Sequence, residues 1–502
     1  MSDNWLSFEG RRYNLKPEET ALDTMLRGGA NVAFSCRKGS CRSCLLEAVS
    51  GDPGTASQAK LSVEMRERNL FLPCMAKDMD RVEARIPDLS QWFIKAIVAE
   101  KNQLSADVWQ IMLEPETAME WQAGQFIGVR NAVGDVRSYS LAGPMEDYFL
   151  ELHVRHYADG RLSNWLVSDV SVGDMIDIQG PTGTCYYDAD MAGKPLLLVG
   201  SGTGAAPLIG IAKEALTKGH DVPIRFFHGA QAENLYLNDA LTGLAANANF
   251  KAVAQAGRIT DVAFDGGDLS DHVVFVAGNP DMVETARYRA VYNGARVENI
   301  YSDPFDTPEL YQPNDMSKYT NMEAQPELWA ALGDGAVLSE LLEKFYVRVY
   351  ADARLAPFFH NVTQKRAAEK QYEFLRDLFV GSRTYFGEKP FNAHHWMVIS
   401  DELFDYRERL FFDVVAEYDL PQHLVNRWAA IQELFRREIV KYSPRGIYRD
   451  GVEHVLEGYV TEEITVATVC DGCFAEIHVG DQARMHTRTG ELFCKDCDAT
   501  QH

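Results

Sequence analysis

The chemistry in this sequence is most exposed in its nine cysteines. Eight form two groups, one near each end of the chain, and Cys185 stands alone. Cys36, Cys41 and Cys44 are spaced C-x4-C-x2-C, and Cys74 follows at a distance. Three thiolates on a tight loop and a fourth from elsewhere can wrap a [2Fe–2S] cluster, and Gly39 lets backbone amides approach its sulfurs. Structural zinc favours paired C-x2-C knuckles, and this group has only one, so the spacing points to iron–sulfur. Cys470, Cys473, Cys494 and Cys497 read C-x2-C-x20-C-x2-C, the four-thiolate pattern of zinc. A rubredoxin-like iron site uses the same ligands and is the alternative. A module of about 35 residues cannot bury a sufficient core, so metal must stabilise it. Cys185 reads as a small buried side chain.

Between the two groups lie residues suited to phosphates and ring systems. Leu45–Val49 reads as a strand after the cluster loop. From Phe93 to about Tyr187 short alternating strands suggest an antiparallel barrel. It contains Arg137-Ser138-Tyr139-Ser140, then Gly160-Arg161-Leu162-Ser163, then Gly180-Pro181-Thr182-Gly183. The run Pro195–Val199 then leads into Gly200-Ser201-Gly202-Thr203-Gly204-Ala205-Ala206-Pro207. A buried strand, a glycine turn and a helix make a dinucleotide site, with Pro207 replacing the last glycine of the usual fingerprint. Ile224–His228 and Val273–Ala277 continue a parallel sheet. After Gly229, the segment Ala230-Gln231-Ala232-Glu233-Asn234 offers no Arg or Lys to a 2′-phosphate, so NADH is favoured over NADPH.

In this order the motifs resemble the ferredoxin–NADP reductase family, and residues 1–90 resemble a plant-type ferredoxin. The resemblance implies FAD. Arg137 would pair with its pyrophosphate. Tyr139 would pack on the flavin, and Ser140 would hydrogen-bond near N5. Gly160 to Ser163 would open a helix whose amides favour the second phosphate. Gly202, Thr203, Gly204 and Pro207 would cradle the nicotinamide nucleotide. The run Ala277-Gly278-Asn279-Pro280-Asp281-Met282 matches a family motif, with Gly278 and Pro280 kept and Ala277 replacing the cysteine near the nicotinamide. Phe305 would shield the flavin ring, or else serve as a core or linker aromatic.

From Pro326 to Val452 the pattern is helical, with no convincing strand. Its landmarks are Phe345-Tyr346, Phe358-Phe359, Gln371, Tyr385 and His394-His395-Trp396. Their types and order resemble a truncated haemoglobin. That resemblance implies haem b, with His394 as the iron ligand and Phe359 beside the ring. Tyr346 and Gln371 would be the catalytic donors to dioxygen. His395 is the alternative ligand, because Trp396 follows it. Thirteen places after His394, where the family has Trp or a small apolar residue, stands Arg407.

These residues need a multidomain scaffold. We expect an α+β ferredoxin domain over 1–90, an antiparallel FAD barrel over 92–188 and an α/β parallel-sheet NAD domain over 189–306. A linker over 307–325 leads to an all-α truncated globin over 326–460 and a small zinc ribbon over 466–502. The length of 502 residues accommodates them. The formal net charge of −24 argues against nucleic acid and anionic membrane as partners. Met1-Ser2-Asp3-Asn4-Trp5 has neither a basic start nor an apolar run, so a cytoplasmic location is expected. Flavin converts the two-electron hydride of NAD(P)H into single electrons for a cluster and a haem. The combination resembles a flavohaemoglobin variant, which implies nitric oxide dioxygenation from O2 and NO. One alternative is haem-dependent reduction of O2, peroxide or nitrite. Another is a gas sensor passing electrons to a separate protein acceptor.

Overall fold

The computed structural model describes residues 4–15, 20–30, 32, 39, 42, 44–61, 63–77, 79–87, 93–232, 235–265, 267–305, 316–359, 362–441, 445–449, 452–454, 459–464, 467–486 and 491–497. The chain divides into two compact units, Met1–Tyr311 with Ala429–Leu434, and Gln312–Trp428 with Phe435–His502.

The first unit opens with β1 (Trp5–Phe8), β2 (Arg11–Asn14), α1 (Ala21–Arg27) and β3 (Leu46–Asp52). Short helices α2 (Thr55–Gln58) and α3 (Val63–Glu67) precede β4 (Leu70–Phe71) and β5 (Asp80–Arg85). The strands form one sheet in the order β2-β1-β5-β3-β4, with β1 and β5 parallel. Thr20 starts α1: its Oγ1 accepts from the Asp23 amide at 3.1 Å, satisfying an otherwise orphaned donor.

A second sheet contains β6 (Ile94–Gln103), β7 (Val108–Pro115), β8 (Phe126–Arg130), β9 (Val136–Ser140), β10 (Leu150–Arg155) and β11 (Met175–Thr182). Its order is β10-β7-β6-β11-β8-β9, all antiparallel. An antiparallel bridge from Leu141 to Leu152 joins its two edges and closes the barrel. Alternate residues such as Ile111 and Leu113, or Ile127 and Val129, fill the interior because strand side chains alternate between faces. Helix α4 (Arg161–Asn164) follows β10.

The third layer is an all-parallel sheet of β12 (Leu196–Ser201), β13 (Ile224–Ala230), β14 (Phe250–Ala256), β15 (Val273–Gly278) and β16 (Ile300–Pro304), ordered β14-β13-β12-β15-β16. Helices α5 (Ala205–Thr217), α6 (Asn238–Leu244), α7 (Thr260–Ala263) and α8 (Pro280–Tyr292) connect its strands. Leu196 and Leu198 pack into one cluster, Leu197 and Val199 into another. Both faces are covered, which explains the unbroken apolar run in β12.

The second unit is mainly helical: α9 (Ser317–Thr320), α10 (Pro326–Ala331), α11 (Ala336–Ala351), α12 (Gln364–Val380), α13 (Pro390–Ala393), α14 (Asp401–Val415), the part of α15 (Gln422–Leu434) up to Trp428, and α16 (Arg436–Ile439). Leu338, Leu341, Leu342 and Phe345 recur at helical spacing and are buried on one face of α11. Trp428 meets Phe379 and Phe411 edge-on at 5.6 and 5.1 Å. Part of the expected linker packs here: Tyr319 is buried and its hydroxyl donates to Asp377.

The stretch read as helical to Val452 requires correction. Its end forms a hairpin of β17 (Ile447–Arg449) and β18 (Val452–His454). Beyond it lie β19 (Tyr459–Glu463), β20 (Thr468–Val469), β21 (Glu476–Ile477), β22 (Gln482–His486) and β23 (Leu492–Phe493). Among the described residues, no helix is long and apolar enough to cross a membrane.

Candidate functional site

At the first cysteine group, Cys44 and Cys74 are buried in the ferredoxin core, whereas Cys36 and Cys41 lie outside the described residues. Gly39 has φ +72°, and a β-carbon there would sit 3.0 Å from Met75 Cγ and 3.3 Å from Leu72 Cδ1. Glycine thus lets this point of the cysteine loop rest on the turn carrying Cys74. The donor set fits a cluster.

The expected flavin residues share β9. Arg137 is exposed, and its Nη1 donates to the Val136 carbonyl at 2.9 Å. Burial pushes the Tyr139 hydroxyl pKa up, so it stays neutral. Ser140 Oγ donates to Asp303 Oδ2 at 2.7 Å. A β-carbon on Gly160 would lie 2.3 Å from Ser163 Oγ, so any other residue there would displace that hydroxyl. Arg161 pairs with Asp135 at 2.9 Å, bringing the start of α4 to the end of the barrel where β9 begins. Arg161 lies within the Gly160–Ser163 motif and Asp303 just before Phe305, but the sequence assigned neither a partner.

Two glycines seat the nucleotide turns against each other. A β-carbon on Gly204 would lie 2.3 Å from the Ala277 carbonyl, and one on Gly278 would lie 2.5 Å from the Ser201 carbonyl. Gly202 and Gly278 also have φ of +54° and +123°. Thr203 lies between Gly202 and Gly204, Pro207 is buried in the first turn of α5, and Pro280 begins α8. The Phe305 amide donates to the Gly278 carbonyl at 2.8 Å. Ser140, Asp303, Gly278 and Phe305 therefore converge from three sequence regions. Glu233 and Asn234, used for the NADH preference, lie outside the described residues.

In the helical unit, Tyr346 is buried, and its ring meets Phe359 edge-on at 5.7 Å. Burial pushes its hydroxyl pKa up to about 12, so it remains a donor at neutral pH. Helix α12 packs along α11 and carries Gln371, whose Oε1 is buried with no hydrogen-bond partner among the described residues. His394 Nδ1 donates to the Pro390 carbonyl at 2.8 Å. Burial pushes its pKa down to about 3, so Nε2 is the unprotonated nitrogen. His395 is more deeply buried, with Nδ1 donating to the Asn392 carbonyl at 2.6 Å. Arg407 stacks over Phe345 and Phe411 at 4.7 and 4.8 Å and pairs with Glu408 at 2.6 Å. Its charge acts on both Tyr346 and His394. A buried amide with an unpartnered atom and a neutral imidazole whose Nδ1 is already committed, both within the helical unit, are compatible with a haem.

The last cysteines converge. One sulfur from each of Cys470, Cys473, Cys494 and Cys497 lies within 4.8 Å of the others. Cys470–Cys497 and Cys473–Cys494 are both 3.6 Å apart. Tetrahedral zinc with sulfur at about 2.3 Å has sulfur–sulfur edges of about 3.8 Å, whereas a disulfide needs about 2.05 Å. Burial disfavours the Cys470 thiolate, but amides of Cys494, Cys473 and Gly472 outweigh it and bring its pKa to about 6. The four-cysteine cluster is compatible with zinc.

A family model for a 2Fe-2S iron–sulfur cluster binding domain matches residues 7–77. One for an oxidoreductase FAD-binding domain matches 95–187, and one for a bacterial-like globin matches 327–436. The aromatic O-demethylase reductase subunit of Amycolatopsis sp. is 33% identical over 311 residues, covering 56% of this chain and 91% of the relative. The chain belongs to this family of iron–sulfur flavoprotein reductases. A second relative, terephthalate 1,2-dioxygenase reductase component 1 of Comamonas sp., is 29% identical over 319 residues, covering 58% of this chain and 93% of its own length. The crystal structure of an Amycolatopsis cytochrome P450 reductase covers 60% of this chain and 98% of its own, at 29% identity and a TM-score of 0.44. This iron–sulfur flavoprotein reductase uses NAD(P)H to drive electrons through FAD and [2Fe–2S], and it carries a globin domain and a four-cysteine cluster besides.

Proposed function

We propose that the reductase supplies electrons to the globin of the same chain, and that the reaction is oxidation of NO by O2 to nitrate. One NAD(P)H gives two electrons, enough to turn two NO and two O2 into two nitrates, with one proton released. FAD would supply the hydride acceptor and the cluster the single-electron carrier. Haem would supply the place where the gases combine. Arg137 and the Gly160–Ser163 turn hold FAD, while Gly202, Thr203, Gly204 and Pro207 with Gly278 and Pro280 hold the nucleotide, NADH in preference to NADPH. Phe305 covers the flavin ring. His394 offers Nε2 to iron because Nδ1 is committed to the Pro390 carbonyl. Tyr346 would donate its hydroxyl hydrogen, and Gln371 its amide hydrogens, to a polar gas ligand, and Phe359 would pack beside the ring.

The observation that carries this reading is the bacterial-like globin match over residues 327–436, on the same chain as the FAD-binding and 2Fe-2S matches. A second reading has support in the relatives, which are named as the reductase subunit of an aromatic O-demethylase and a reductase component of a terephthalate 1,2-dioxygenase. On that reading the electrons leave for a protein acceptor. Anaerobic and aerobic NADH oxidation by purified haem-loaded protein, with NO added and no partner, separates the two. NO-dependent oxidation at one NADH per two NO supports the first. NADH oxidation that NO leaves unchanged defeats it.

A further inference from the structure

A line of buried side chains joins the flavin barrel to the dinucleotide turn. Helix α5, which begins at that turn, lies flush on the barrel. A β-carbon on Gly210 would come within 2.5 Å of the Ala142 carbonyl, and one on Gly124 within 2.7 Å of Ile211 Cδ1. Glu214 Oε2 accepts from the Ala123 amide at 2.8 Å. Beside this contact, Glu151 on β10 accepts from Gln110 Nε2 at 2.6 Å and faces Lys213 Nζ at 3.7 Å. Burial opposes ionisation of Glu151, but His153, Lys213 and Gln110 together bring its pKa to about 2.

An ionised carboxylate only accepts, and this sets the hydrogen at its end of the line. His153 Nε2 donates to Glu151 Oε1 at 2.9 Å. His153 Nδ1 and the Tyr236 hydroxyl share a hydrogen bond at 3.0 Å. The Tyr236 ring meets the His228 ring edge-on, with centroids 5.8 Å apart. His228 is fully buried, and its Nε2–H donates to the Gly202 carbonyl at 3.2 Å. Its Nδ1 has no hydrogen-bond partner among the described residues, so a second ring hydrogen would be stranded there.

We propose that Glu151, His153, Tyr236 and His228 are positioning residues for hydride transfer, holding the Gly202 carbonyl in register with the barrel that carries the flavin strand. None of them touches the nucleotide through this line; they act through the Gly202–Gly204 turn. Hydride transfer needs reacting atoms about 3–3.5 Å apart, and a misplacement of about 1 Å can cost a hundredfold in rate. The turn is glycine-rich, and the line of side chains adds a constraint on it from the barrel side. The proposal concerns the NAD(P)H-to-flavin step alone and is independent of the globin.

Tyr236→Phe keeps the ring and removes the hydroxyl, while His228→Phe removes the donor to Gly202. His228→Gln restores an N–H at similar reach. Anaerobic stopped-flow mixing of each FAD-loaded variant with NADH gives the limiting rate of flavin reduction. The long-wavelength charge-transfer absorbance reports nicotinamide stacking on the flavin, and calorimetric titration with NAD+ gives affinity. Tyr236→Phe and His228→Phe should each lower the limiting rate about tenfold and weaken the charge-transfer band. FAD content and melting temperature should stay at parent values, with NAD+ affinity within about threefold, and His228→Gln should recover most of the loss. Parent rates and band in both Phe variants overturn the proposal. So does a rate loss that merely tracks lost FAD or a lowered melting temperature, because the line would then be a fold staple. A His228→Gln variant as slow as His228→Phe overturns the role of the Gly202 bond.

Discussion

The Ser140 hydroxyl donates to the Asp303 carboxylate at 2.7 Å, tying the end of the flavin strand to β16 across 163 positions of sequence. Asp303 lies two residues before Phe305, whose amide holds the Gly278 carbonyl. The hydroxyl's direction is thus set by an acceptor on the nucleotide side of the unit. Asp303→Asn replaces a charged acceptor with a neutral one. A hydrogen bond to a charged group is worth about 1.5–3 kcal/mol, so flavin reduction by NADH should slow at least tenfold. FAD content should match the parent, and stopped-flow absorbance at the flavin maximum is the measurement. An unchanged rate would mean that this bond serves only packing.

Replacing Cys74 by Ser should abolish the EPR signal of the reduced [2Fe–2S] cluster while leaving the bound-flavin spectrum in place. Cys74 is buried within the ferredoxin core, and the flavin strand belongs to a different sheet. A retained cluster signal would remove Cys74 from the ligand set.

His394→Ala and His395→Ala separate the assigned iron ligand from the neighbour that is its alternative. His394→Ala should lose or reorganise haem, seen as a weakened or shifted Soret band. His395→Ala should retain a five-coordinate ferrous spectrum. The reverse pattern assigns the iron to His395. No Soret band after incubation of parent protein with excess haem ends the globin reading.

Asp377 is buried and receives hydrogen bonds from Tyr319, from Ser382 Oγ at 2.7 Å, and from the amides of Thr384 and Tyr385 at 2.5 and 3.1 Å. Burial opposes its ionisation, but these donors outweigh it and hold the carboxyl below its ordinary pKa. A depressed folded pKa contributes stability that is complete above the unfolded value of about 3.9 and is lost as pH falls through the folded one. Asp377→Asn should therefore cost about 1.5–3 kcal/mol at pH 7, and the gap to the parent should narrow as pH drops below about 4. Urea melts across that range check it; a gap that widens on acidification contradicts the assignment.

The sequence by itself determined the parts whose chemistry is local. Cysteine spacing marked two metal-binding groups, because a metal's ligands must come from tight turns. The second group converges in space as its knuckles require. The strand, Gly-x-Gly turn and helix from Leu196 to Thr217 were legible because a buried parallel strand is apolar throughout and its turn needs glycine. Helical spacing showed the apolar face of α11. The β17–β18 hairpin was not legible, since strands of three residues are too short to carry a period. Tertiary structure alone decided the partners of Ser140, Glu151, His153, Tyr236, His228 and Asp377. Apart from Ser140, whose motif the sequence marked without its partner, each is a common residue type in an unremarkable stretch. Their hydrogen bonds join strands and helices distant in sequence, and such partners meet only once the barrel, the parallel sheet and the helices have packed.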